Sequence, residues 1–253
     1  LTAYEDGRDG VVDGIVNNPF DIEFDINTLV GTKVAGRDFT QKDADVINRI
    51  WDGCDYANGK IWYGFTKTTD LHRMVKSEGN PPVGRIEPTA LGLLRYAIEC
   101  NPELSLDSMT VNRYIDDIIL SYNNIVKYFS STVNLRRMLK NDTKLLIMHG
   151  LDDDMVPPTG SIRFYEDVAK AMGGYDKIAN NIKLYFLPGL NHSFKGPGIN
   201  LRTLDLSPLI DWVENGIVPD EIIGKKAGVG ERPFYPYPYY TEYVGVPVDK
   251  ASS

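Results

Sequence analysis

The chain has 253 residues, 42% hydrophobic and 25% charged, an ordinary globular composition with enough length for one or two domains. A formal net charge of −8 argues against a nucleic acid or an acidic membrane surface as partner. No apolar run approaches the ~18 residues that a membrane-crossing helix needs, and there is no His/Cys metal cluster or phosphate-binding glycine loop.

Leu1 opens the chain inside what reads as a loop, with no initiator Met, so a processed product is expected. The first fifteen residues carry Asp6-Gly-Arg-Asp9-Gly-Val11-Val-Asp13-Gly-Ile15. Interleaved glycines let a short segment wrap a centre, and hard oxygen ligands suit Ca²⁺. Asp6, Asp9 and Asp13 would offer carboxylates, and Val11 and Ile15 backbone carbonyls. The spacing is not that of an EF-hand, and a solvated acidic turn is the plain alternative.

Residues 17–36 read as loop with short extended pieces. Thr40 to Trp51 predicts an amphipathic helix: Thr40 caps it, Asp43 is the acidic partner, and Ala44, Ile47, Ile50 and Trp51 share a face. Residues 52–92, with Trp62, Tyr63 and Phe65, lack a period and are expected to be irregular. They would be a cover over an active site or a packed loop-rich subdomain. Short helices are expected at Thr89–Glu99 and Asn134–Leu139. Leu106–Lys127 has helical spacing through Met109, Tyr114, Ile118 and Ile119.

Residues 144–198 organise the rest. Lys144–Met148 and Lys183–Leu187 are short apolar runs bounded by turn signals, as buried parallel strands are. Between them, Thr159–Met172 has Ile162, Tyr165, Val168 and Ala169 at helical spacing and ends at Gly173-Gly174. This is a strand–helix–strand unit, so the strands are expected to be parallel. Leu206–Glu214 predicts a further helix stopped by Gly216. The Pro- and Tyr-rich tail from Arg232 is expected to run extended along the surface.

Open α/β sheets bind ligands past the C-terminal ends of their strands. After the first strand comes Gly150-x-x-Asp153-x-x-Val156-Pro157, and after the second comes Pro188-Gly-x-Asn-His192. An acid on one strand-end loop and a His on the next are the last two members of an α/β-hydrolase triad, whose chain order is Ser, acid, His. His192 would take the serine proton, and Asp153 would hold its tautomer. Asp152 and Asp154 compete for the acid role. Asp153 is preferred because it falls midway between Gly150 and Val156. A helix-capping Asp and an ordinary surface His are the bland alternatives. No Gly-x-Ser-x-Gly occurs in the chain, so the nucleophile is not supplied here. The fold class that follows is α/β: the C-terminal part of an α/β-hydrolase sheet preceded by a large insertion. Residues 1–133 would hold that insertion with the acidic loop, and residues 134–253 the C-terminal part of the catalytic domain.

Cys54 and Cys100 leave three states open: a mutual pair, a bond to another chain, or free thiols. Sequons stand at Asn141 and Asn191; the second abuts His192 and is the poorer acceptor.

Together these segments carry a family resemblance. DGRDGVVDGIVNNP followed by FDINTL resembles the calcium loop of the lid domain in the fungal tannase and feruloyl esterase family. FTQKDADVINRIWDG resembles the lid helix that follows it. NLRRMLKNDTKLLIMHGLDDDMVPPTGSIRFYEDV resembles the segment with that family's catalytic Asp, and LPGLNHSFKGPG its His loop. LSPLIDWVENGIVPDEI and RPFYPYP resemble its C-terminal signature. The match covers most of the chain and is patchy over residues 52–130.

The resemblance implies a secreted serine esterase with a large lid insertion, residues 1–133 here, and structural Ca²⁺. Carried over residue by residue, it implies Asp153 and His192 as catalytic and Asp6, Asp9, Val11, Asp13 and Ile15 as calcium ligands. It also implies that this is the C-terminal of two chains cut from one precursor. The N-terminal chain would be the partner holding the serine, the oxyanion hole and the first strands. Two positions depart from the family: Ser193 and Tyr235 stand where it usually has Cys. The bridge that braces its Ser and His loops cannot form from this side.

Three functional readings follow. The first is a tannase that cleaves galloyl esters through an acyl-enzyme. The second is a feruloyl esterase acting on hydroxycinnamate esters. The third is a calcium-stabilised, non-catalytic subunit with a vestigial triad. In none is a nucleic acid or a membrane the partner.

Overall fold

The strand pair around which the sequence is organised exists and is parallel. In the structure, a computed structural model, the described residues are 1–8, 11–56, 59–74, 77–78, 83–84, 91–105, 110, 112–113, 116, 132–199, 206–226 and 230–241. The chain divides into two compact units, Leu1–Thr69 with Val133–Ser253, and Asp70–Thr132. The junctions fall at 69/70 and 132/133, so residues 1–69 group with the second half of the chain.

The first unit begins with α1 (Thr2–Glu5), the two-residue strands β1 (Lys33–Val34) and β2 (Arg37–Asp38), α2 (Gln41–Asp52), and a hairpin of β3 (Gly53–Tyr56) and β4 (Gly59–Tyr63). It resumes with α3 (Arg136–Lys140), β5 (Leu145–Gly150), α4 (Pro158–Met172), α5 (Tyr175–Ile178) and β6 (Ile182–Leu187). It closes with α6 (Ser207–Glu214) and the hairpin of β7 (Ile222–Lys226) and β8 (Gly230–Phe234).

β5 and β6 pair with Leu145 opposite Ile182 through to Gly150 opposite Leu187. Their side chains alternate between two covered faces. Leu145, Ile147, Ile182 and Leu184 meet Tyr165, Val168 and Ala169 of α4 and Ile178 of α5. Leu146, Met148, Tyr185 and Leu187 meet Leu190, Ile199, Ile222 and Phe234. Apolar side chains are therefore needed at successive positions, which is why both strands read as continuous runs. Burying one Leu or Ile here contributes about 1.5–3 kcal/mol. Lys183 breaks the run, and its Nζ reaches Asp220 Oδ1 at 2.7 Å.

The helix ends follow local chemistry. Asp43 N–H donates to Thr40 Oγ1 while Thr40 N–H donates to Asp43 Oδ2 at 2.8 Å, closing a capping box on α2. Ala44 of α2 then packs with Ile26 and Phe39 in a separate small core. α4 has Pro158 at its first position and stops at Gly173, whose φ of 98° is the left-handed cap conformation.

Several elements differ from expectation. Gly53–Tyr56 and Gly59–Tyr63, expected to be irregular, pair as β3 and β4. That hairpin is held from outside its own sequence: Thr159 Oγ1 donates to Gly64 O at 2.8 Å, and a Cβ on Gly160 would stand 3.3 Å from the Tyr63 ring. The β7–β8 hairpin was not anticipated either; its Ile222 and Phe234 complete the core below β6. Of the tail, Arg232–Phe234 belongs to β8, Pro236 bridges antiparallel to Tyr185, and Tyr237 N–H donates to Leu184 O at 2.7 Å. Leu106–Lys127 lies mostly outside the described residues. Of the three states open for Cys54 and Cys100, the structure shows both as free thiols.

In the second unit Ser77–Glu78 pairs antiparallel with Val83–Gly84. Leu93–Ile98, within the expected Thr89–Glu99 helix, is π-helical, and the Arg95 guanidinium donates to Leu104 O at 2.8 and 2.9 Å.

Candidate active site

Asp153 and His192 sit on the loops that leave the C-terminal ends of β5 and β6. The loops are joined by backbone bonds: Leu151 N–H donates to Leu187 O and Asp152 N–H to Leu190 O, each at 3.0 Å. The His loop is shaped by Asn191, whose Oδ1 accepts from Ser193 N–H and Lys195 N–H at 3.0 Å each. The Asn191 sequon thus has its side chain engaged inside the loop, whereas Asn141 is exposed.

The structure brings the two candidate residues together. His192 Nδ1–H donates to Asp153 Oδ2 at 2.9 Å and lies 3.2 Å from Oδ1. Asp153 is 4% exposed. The His192 side chain is 43% exposed. Oδ1 of Asp153 also accepts from Met155 and Val156 N–H, both at 2.8 Å. Burial pushes the Asp153 carboxyl up, but bonds from His149, the two backbone amides and His192 outweigh it and hold the group at about 2. Asp153 is therefore an ionised acceptor, able to fix the imidazole with Nδ1 protonated and leave Nε2 as the base.

Asp152, a competitor for the acid role, turns elsewhere. Its carboxylate accepts from the Thr68 hydroxyl, and the Thr66 hydroxyl donates to Leu151 O at 2.7 Å. Burial raises the Asp152 carboxyl above its ordinary value, against the lowering pull of Thr68. Asp154 is half-buried, and His192 meets Asp153 instead.

His149 was missed by sequence reasoning. It is buried on β5, with Nε2 3.2 Å from Asp153 Oδ2 and 3.0 Å from Val156 O, and Nδ1 2.8 Å from Ser161 Oγ. The available signal was a lone polar side chain in an otherwise apolar strand, which must find partners when buried.

The acidic loop is folded back on itself. Asp6 accepts from Asp13 N–H through Oδ1 and from Gly14 N–H through Oδ2, each at 3.0 Å. Asp13 Oδ1 accepts from Ile15 N–H at 3.0 Å. Asp9 lies outside the described residues. Among the described residues no group of three or more acids, His or Cys is gathered around one centre. Both Asp6 oxygens and Asp13 Oδ1 are thus engaged by backbone amides of the loop itself. Ile15 is buried against the His loop: a Cβ on Gly189 would lie 3.1 Å from Ile15, and one on Gly14 would lie 3.4 Å from Pro197.

A family profile described as "Tannase and feruloyl esterase" matches residues 2–253. The chain belongs to that family. It is 30% identical over 225 residues to a "Probable feruloyl esterase" of Arthroderma benhamiae, covering 85% of this chain and 42% of the relative. It is 33% identical over 109 residues to the "Mono(2-hydroxyethyl) terephthalate hydrolase" of Piscinibacter sakaiensis, covering 40% of this chain and 17% of that protein. In structure it resembles the "Tannin acyl hydrolase from Aspergillus niger", with a TM-score of 0.78 and 22% identity over 96% of this chain and 50% of that one. Feruloyl esterase B from Aspergillus oryzae gives a TM-score of 0.77 at 20% identity, over 97% of this chain and 52% of that one. These likenesses show the fold, an α/β-hydrolase-like one shared with fungal esterases. The chain spans about half the length of the structures it matches and less than half of the curated relative from Arthroderma benhamiae.

Proposed function

We propose that this chain supplies the acid and base of a serine carboxylic ester hydrolase acting on phenolic esters. The observation that carries it is the 2.9 Å bond from His192 Nδ1 to buried Asp153 at the ends of adjacent parallel strands. The serine would come from the N-terminal chain of the same precursor. Its Oγ attacks the ester carbonyl as His192 Nε2 takes the proton. The alcohol leaves with that proton, and a water, deprotonated by His192, releases the acid and frees the serine.

Asp6, Asp9 and Asp13 through carboxylates, and Val11 and Ile15 through carbonyls, would hold the structural Ca²⁺. When bound it would neutralise the loop's charge. We assign the lid to residues 1–133, and a secreted location to the protein, on the family resemblance.

For the acyl group, the relative matched over 85% of the chain favours a hydroxycinnamate such as ferulate. The tannase-like motifs keep galloyl esters as the second reading.

The test is to assay the native protein, with its partner chain, on methyl ferulate and methyl gallate, beside His192→Ala and Asp153→Asn. Hydrolysis lost by about 10⁴-fold in Asp153→Asn, with the fold intact, is expected. No hydrolysis of either ester, with no serine trapped by a phosphonate, would leave the non-catalytic subunit.

A further inference from the structure

Two imidazoles converge on one carboxylate oxygen. His192 Nδ1 lies 2.9 Å and His149 Nε2 3.2 Å from Asp153 Oδ2, while Oδ1 accepts from two backbone amides and lies 3.2 Å from His192 Nδ1. His149 comes from β5 itself, and Ser161, which meets its other nitrogen at 2.8 Å, comes from α4.

The chemistry of the partners fixes the proton positions. Val156 O can only accept, and so can an ionised Asp153, so His149 Nε2 carries the hydrogen. In a neutral ring Nδ1 then accepts from the Ser161 hydroxyl. The order is Ser161 Oγ–H to His149 Nδ1, His149 Nε2–H to Asp153 Oδ2, and His192 Nδ1–H to the same Oδ2.

We propose that His149, set by Ser161, is a positioning residue for the triad: it holds the Asp153 carboxylate in plane with His192 and shares the oxygen that His192 uses. This rests on the reading of Asp153 and His192 as acid and base. The titratable groups facing Asp153 are His149 and His192; the Asp152 carboxylate is turned onto Thr68.

Sharing has a measurable consequence. With His149 removed, Oδ2 would face His192 alone and attract its imidazolium more strongly, so the His192 titration rises. The carboxylate would also be freer to rotate out of the His192 plane.

The variants are His149→Phe, which keeps a ring beside Phe186, 6.3 Å from His149 by ring centroids, and Ser161→Ala. Both are made in the native protein with its partner chain. His192 is followed by imidazole ¹⁵N resonance, and kcat and KM for methyl ferulate are measured against pH. In His149→Phe the His192 midpoint and the acid limb of kcat/KM are expected to rise together by about half a pH unit. We expect kcat to fall about tenfold with KM little changed. Ser161→Ala is expected to move both in the same direction by less. In the wild type His149 is expected as the Nε2–H tautomer.

A lowered melting temperature with an unmoved His192 midpoint and pH profile would overturn the proposal, as would an Nδ1–H tautomer for His149. Should the wild type hydrolyse no ester, the functional reading fails, and the His192 midpoint in the two variants still decides this inference.

Discussion

The carbonyl of Leu190 accepts the Asp152 N–H at 3.0 Å, and Gly150 lies directly beneath it. A Cβ on Gly150 would come 2.3 Å from that oxygen and 2.9 Å from the carbonyl carbon. The clash would be with backbone, which no side-chain rotation relieves. We predict that Gly150→Ala destabilises the fold by about 1–3 kcal/mol, as read by thermal or denaturant melting. Esterase turnover should fall further than stability accounts for, because the same shift separates the Asp153 and His192 loops.

Asp153 makes the fold sensitive to strong acid. Its carboxyl titrates at about 2 in the native state against an ordinary 3.8. The unfolded chain therefore binds the proton more readily, and the contribution is fully present above the ordinary value. It is lost as pH falls through that value toward about 2, and amounts to roughly 2 kcal/mol. Denaturant melts across this window should show the wild type losing stability more steeply than Asp153→Asn. Parallel slopes would contradict the bonded, ionised state.

Asp152 behaves in the opposite sense. Burial raises its carboxyl, so its charge opposes folding above the native titration point, and that cost is relieved as pH falls. Since it faces Thr68 and not His192, Asp152→Asn should keep turnover within a few-fold of the wild type. A loss comparable to that of Asp153→Asn would move the acid role to Asp152.

The acidic loop lies against the His loop through Ile15 beside Gly189 and Gly14 beside Pro197. If Ca²⁺ is held by Asp6, Asp9, Val11, Asp13 and Ile15, its removal should be felt at residues 188–199. A chelator is expected to lower the melting temperature and to quicken amide exchange in that segment, with excess Ca²⁺ restoring both. Unchanged melting in chelator and in added Ca²⁺ would remove the ligand assignment.

Much of the core was legible because its signals are local. β5 and β6 are apolar at successive positions since both faces are covered, α2 carries its capping box at Thr40 and Asp43, and α4 ends at a Gly that takes the left-handed cap. The β3–β4 hairpin was not legible. Its residues have no alternation, and part of its anchorage is Thr159, nearly a hundred residues away.

The sequence by itself determined the order of the chemistry: an acid five residues past the end of one apolar run, a His five past the next, and no nucleophile motif between or before. Periodicity and glycine placement act over a few residues, so a one-dimensional reading captures them. Which of three consecutive aspartates meets His192, and that His149 reaches the same oxygen, only the tertiary structure decided. Asp153 and His192 are 39 residues apart in sequence, and their 2.9 Å contact exists because two parallel strands end side by side and the Leu190 carbonyl ties their loops together.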